Sequence, residues 1–176
     1  MSKMGACDKF NFGFYFHALT RAVREPRRFF SDLPPDIGLK QPLGFLLVSC
    51  LFFTIASMAR NMTSNPVVGC ILFINAVGMV FISAGLGYML MVIFMRKKVP
   101  FSLFFNIYAF SSGVTLLASW VPFFVWLTEP WKWWLIGTGM VWSLGFKRSQ
   151  ALLIVGLSVI LIVLFFWSAI VIFPPK

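Results

Sequence analysis

The chain has 176 residues, of which 60% are hydrophobic, 18% aromatic and only 11% charged, where a soluble domain carries about a quarter charged residues. That balance excludes an ordinary soluble globular domain and marks an integral membrane protein. A net charge of +10 would suggest nucleic acid in a soluble chain, but these basic residues sit between long apolar runs, where they set topology and meet anionic headgroups, so no nucleic-acid partner is expected.

Residues 1–41 form a first, cytoplasmic or interfacial unit. The start MSKMGAC resembles a lipidation signal, but no apolar run precedes Cys7, and Lys9 stands where a myristoylation motif counted from Met4 needs Ser or Thr. In FNFGFYFHALTRAV, Phe10, Phe12, Phe14 and Phe16 alternate, and Phe16, Leu19, Ala22 and Val23 follow helical spacing with Arg21 and Arg24 on the other side. A basic helix with aromatic residues opposite suits a membrane surface. Pro26 then breaks it and is tolerated at the first turn of a new short helix, RRFFSDL. There Phe29, Phe30 and Leu33 are expected to dip into the interface while Arg27 and Arg28 reach phosphates. Arg21, Arg24, Pro26, Arg27, Arg28, Phe29 and Phe30 are therefore the candidate membrane-surface or partner-binding residues. The plainer alternative is a basic topology signal followed by two incidental phenylalanines.

Residues 42–173 hold five apolar segments, at 42–59, 67–95, 102–127, 131–146 and 151–173. Since about 20 helical residues cross about 30 Å of hydrocarbon, the second, third and fifth are comfortable spans and the other two are short. Gly137, Gly139 and Gly145 also weaken the fourth as a helix. Charge supports it: with five spans and the N-terminus inside, twelve of the fifteen Lys and Arg residues fall inside, and only Arg60, Lys132 and Lys176 fall outside. Four spans would move Lys147 and Arg148 off the inner side. Trp120, Trp126, Trp131, Trp133 and Trp134 cluster around the turn between the third and fourth segments, as an aromatic belt at the outer face. Pro122 should kink the third helix or mark where it leaves the hydrocarbon. The expected fold is an all-α integral membrane protein of five transmembrane helices with an amphipathic, interfacial N-terminal segment.

Taken in order, the basic helix, the Pro-Arg-Arg-Phe-Phe run at 26–30, a proline-containing linker and five closely spaced spans resemble the Yip1 domain family over about residues 19–173. IYAFSS at 107–112 followed by Pro122, and GTGMVWSLGFKRSQA at 137–151, resemble that family's third span and its fourth-to-fifth junction. The resemblance implies a five-span helical protein with its N-terminus in the cytoplasm and its C-terminus outside. Eukaryotic members are tied to Rab GTPases and vesicle traffic. This chain lacks their long acidic N-terminal region and their Asp-Leu-Tyr-Gly-Pro motif, and is more similar to a small prokaryotic member, which implies the cytoplasmic membrane.

All five acidic residues, Asp8, Glu25, Asp32, Asp36 and Glu129, lie outside the apolar cores, which argues against ion-coupled transport. There is no intramembrane carboxylate pair, no HExxH and no serine with a histidine partner, so neither catalysis nor a cofactor is expected. His17 has no ligand partners at workable spacing, and Cys7, Cys50 and Cys70 form no CxxC, so no metal site or disulfide framework is expected. Asn61-Met62-Thr63 matches a glycosylation sequon but hugs the outer surface. Asn75 and Asn106 fall at different depths and are read as separate packing or capping residues. Small residues recur as helix-packing positions: Ala109, Ser111, Gly113, Thr115 and Ser119 in the third segment, Gly78 and Gly85 beside Asn75 in the second. They serve internal bundle packing or an oligomer seam. The expected function is a non-enzymatic membrane scaffold or adaptor whose partners are the bilayer's anionic headgroups and a protein or a second copy. The alternative is a small channel or uncoupled permease with a polar cavity lined by Asn75, Ser83, Ser111 and Thr115.

Overall fold

The computed structural model describes residues 12–34, 38–62, 65–95 and 99–172. Cys7, Asp8, Phe10, Asp36, Thr63 of the sequon, the basic run 96–98 and Lys176 lie outside the described residues. Among the described residues the regular structure is helical throughout: α1 (Phe12–Arg24), α2 (Pro26–Ser31), α3 (Lys40–Arg60), α4 (Pro66–Met95), α5 (Phe101–Ser119), α6 (Pro122–Leu144) and α7 (Arg148–Ile172). Of the five expected spans, α3, α4 and α5 are long and apolar enough to cross a membrane. In α6 the apolar run is interrupted by Glu129, Pro130 and Lys132, and the described apolar stretch of α7 is Arg148–Leu164.

The third and fourth segments divide differently from the sequence expectation. The chain breaks at Trp120 and Val121, and Pro122 occupies the first turn of α6, where its missing N–H and fixed φ suit a helix start. Residues 122–130 thus belong to the fourth element, and most of the tryptophan cluster lies along α6 rather than in a turn. The corner is tied by hydroxyls: Ser119 donates to the Thr115 carbonyl at 2.8 Å and meets the Thr128 hydroxyl at 3.1 Å. Glycines do not unravel α6. Gly145 ends it in the left-handed conformation, φ 65°, and the N–H groups of Gly145 and Phe146 turn back to the Met140 carbonyl, satisfying a helix-end acceptor that water would otherwise have to reach.

The bundle is organised around α5, which is buried without interruption from Phe104 to Thr115. On one side Tyr108 and Phe105 join Leu46, Val80, Met91 and Ile154 in a core drawn from α3, α4 and α7. On the other, Phe110 and Ile107 join Tyr15, Phe29, Phe30, Phe45 and Leu135, a core that includes the N-terminal helices. The small residues of α5 make this enclosure possible. Ala109, Ser111, Gly113 and Thr115 are buried and Ser119 is partly so. A Cβ built on Gly113 would stand 2.7 Å from the Phe45 ring, so α3 crosses α5 at that glycine. The Thr115 hydroxyl donates within its own helix, to the carbonyls of Ser111 and Ser112 at 3.2 and 3.1 Å.

Gly78 and Gly85 do not take part in this packing. A Cβ at either would meet nothing within 4 Å, because α4 turns Ala76, Val80, Ala84 and Met91 inward and leaves those glycines on its outer side. The close approaches of α4 occur at Gly69, where a Cβ would stand 2.6 Å from the Met58 sulfur, and at Gly87, which is covered by the Tyr108 hydroxyl.

These contrasts separate the glycines experimentally. Gly113→Val should destabilise the bundle by about 1–3 kcal/mol, as overpacking of a close crossing does. Gly85→Ala should be neutral or stabilising by up to about 1 kcal/mol through helix propensity. Thermal unfolding of the full chain in mild detergent reads both, and equal melting of the two variants would contradict the crossing at Gly113.

Candidate functional site

The N-terminal helices carry the candidate site, and α1 presents three faces. Tyr15, Ala18 and Ala22 are buried against the bundle. Phe12, Phe16 and Val23, spaced along a neighbouring stripe, are 69%, 62% and 44% exposed. Arg21, Arg24 and the exposed His17 occupy the remaining arc. The helix is moored through Tyr15, whose hydroxyl shares a 3.1 Å hydrogen bond with that of Ser49, and whose ring lies 4.8 Å from that of Phe45.

Pro26 opens α2, as its fixed φ favours. On this six-residue helix positions 29 and 30 project opposite positions 27 and 28, so the sequence correctly separates rings from arginines. It misplaces the rings. Phe29 and Phe30 do not dip into the bilayer interface; they are 0% and 1% exposed and fill the space between α5 and α6. Phe29 meets Phe110 edge-on at 5.1 Å and Phe30 at 5.2 Å. A Cβ on Gly139 would run into the Ile107 side chain of α5 and come within 3.3 Å of the Phe30 ring, so the missing side chain makes room for both. Leu33 is buried beside them. Gly139 is the residue that sequence reasoning missed, because a glycine inside an apolar run was read as a weakness of the helix rather than as room for a neighbour.

The four arginines divide into two pairs. Arg21 reaches Asp32 at 3.1 Å, closing the α1–α2 corner, and Arg28 pairs with Glu25 at 3.2 Å. Both pairs are partly solvent-exposed, a class worth about 0–1 kcal/mol. Arg24 and Arg27 are exposed and make no ion pair among the described residues.

The side chains expected to line a permeation path are dispersed. Asn75 is exposed on the outer side of α4, and the Ser83 hydroxyl donates to the Met79 carbonyl of its own helix at 2.7 Å. Ser111 and Thr115 are buried within α5. Fold and surface together define an all-helical chain with three membrane-length apolar helices and an amphipathic pair folded onto them. No protein-family model, no curated protein and no solved structure matches it.

Two outcomes test the docking of this segment. Phe29→Ala or Phe30→Ala should each cost about 3–5 kcal/mol, the range for a buried phenylalanine, and should expose residues 12–34 to protease in the detergent-solubilised chain. Protection equal to the parent would contradict the seat. Burial also raises the Tyr15 phenol above its ordinary value of 10.0, with the Ser49 contact opposing in part. Folding therefore favours the protonated phenol: its contribution is complete below pH 10.0 and is lost as pH rises through the higher folded value. Protease sensitivity of α1 should climb at such alkaline pH in the parent and lose that dependence in Tyr15→Phe.

Proposed function

We propose that this protein is a non-enzymatic, multi-pass membrane scaffold or adaptor of the Yip1 type, which uses its N-terminal helices to hold an anionic membrane surface and a protein partner. The observation that carries this reading is the state of Arg24 and Arg27. They stay exposed and make no ion pair among the described residues, next to the exposed Phe12, Phe16 and Val23, on a segment fastened by two buried rings. A loose topology signal needs no such fastening; a surface that must present charge in a fixed place does. Each basic residue near an anionic leaflet is worth about 1 kcal/mol, fading within a Debye length of about 8 Å.

In this reading α6 and α7 are the fourth and fifth spans, the N-terminus is cytoplasmic and the C-terminus lies outside. The twelve-to-three charge asymmetry and the Yip1-like order of motifs support that topology. Dispersal of Asn75, Ser83, Ser111 and Thr115, with Ser83 and Thr115 bonded back to their own helices, supports a scaffold over a permease. The full chain purified in mild detergent should retain a partner protein that Arg24→Ala/Arg27→Ala loses, and the chain reconstituted in vesicles should release no trapped small solute. Retention of the partner by the variant, together with solute release, would reject the scaffold in favour of the permease. A reporter fused at Lys176 should be active outside the cell, and a cytoplasmic signal would remove the five-span topology.

A further inference from the structure

Asn75 is the polar side chain that the fold leaves in an exposed position within a membrane-length helix. It is the tenth residue of α4, which runs for 30 residues, or about 45 Å at about 1.5 Å per residue. Because the hydrocarbon layer is only about 30 Å thick, a centred α4 carries Asn75 inside it. The carboxamide is exposed and makes no hydrogen bond among the described residues. A polar group facing lipid tails has nothing to bond to, and that deficit favours a partner helix offering both a donor and an acceptor.

The surroundings of Asn75 match such a partner. Ile71, Asn75, Gly78, Ile82, Gly85 and Met89 follow each other at alternating intervals of four and three residues, the repeat that keeps one stripe of a helix against a neighbour at a shallow crossing. Ile71, Ile82 and Met89 are 60%, 48% and 61% exposed, and a Cβ at Gly78 or Gly85 would meet nothing within 4 Å. This stripe is opposite the inner face formed by Ala76, Val80, Ala84 and Met91, so none of the described helices covers it. A carboxamide is complementary to itself, and a two-fold axis along the membrane normal brings equal depths of two copies together. We propose that two copies of this chain associate through this face of α4, Asn75 of one bonding to Asn75 of the other, with Gly78 and Gly85 letting the backbones approach.

The proposal rests on α4 being a membrane span, and the experiment separates the two. In isolated membranes the full chain should resist alkaline carbonate extraction; release into the soluble fraction would overturn both the span and the dimer. In lipid nanodiscs or bilayers the chain should be dimeric. Asn75→Leu should weaken the dimer about threefold to tenfold, the range for one interhelical hydrogen bond in a membrane, and Asn75→Gln should restore it. Gly85→Leu should disrupt the dimer without lowering the thermal stability of the detergent-solubilised monomer, since the space it fills is empty within one copy. With Cys7, Cys50 and Cys70 replaced by Ser, Ile82→Cys should form a disulfide-linked dimer on mild oxidation. Leu152→Cys, on α7 and 72% exposed, should not. A membrane-embedded monomer, a dimer indifferent to Asn75→Leu and Gly85→Leu, or equal cross-linking at Ile82 and Leu152 would each overturn the dimer without touching the span.

Discussion

The enclosure of α5 is the constraint from which the other contacts follow. A helix surrounded on all sides through Phe104–Thr115 must offer neighbours both shape and polar satisfaction, since lipid tails supply no hydrophobic drive for one helix to leave them for another. Its glycine, alanine and serine positions supply the shape, admitting the ring of Phe45 over Gly113. Thr115 and Ser119 satisfy themselves on carbonyls of the same helix. With the Thr115 and Ser119 hydroxyls turned onto their own backbone, α5 meets its neighbours chiefly by van der Waals contact, and large aromatic side chains from α1, α2, α3 and α4 pack against it.

The N-terminal pair is held by the same currency rather than by charge. The two ion pairs at the α1–α2 corner are partly exposed and weak, whereas two fully buried phenylalanines each contribute several times as much. The arginines therefore orient the surface of the segment and the rings decide where it sits. This division leaves Arg24 and Arg27 free of structural duty.

Much of the architecture was legible because a membrane makes length and composition decisive. The bounds of α4, the helix break at Pro26, and the amphipathic character of α1 all follow from runs and periods in the chain. What failed has a physical reason in each case. Amphipathicity states that one face avoids water, and a groove between α5 and α6 satisfies that demand as well as acyl chains do, so Phe29 and Phe30 could not be assigned to one or the other from spacing. Pro122 is compatible with a kink, an exit or a helix start, and the choice was made by the tertiary corner at Ser119 and Thr128. Glycines posed the same ambiguity: Gly113 and Gly78 look alike in sequence, yet one lies under an aromatic ring and the other over empty space.

The seat of Phe30 at Gly139 also orders events in time. Ribosomes deliver the two rings first and their receptor roughly a hundred residues later, which at about 5–20 residues per second means a wait of about 5–20 seconds. Throughout that interval the α6 side of the seat is missing. A chain made in this order carries both rings through the synthesis of α3, α4 and α5 before the last wall of their seat exists.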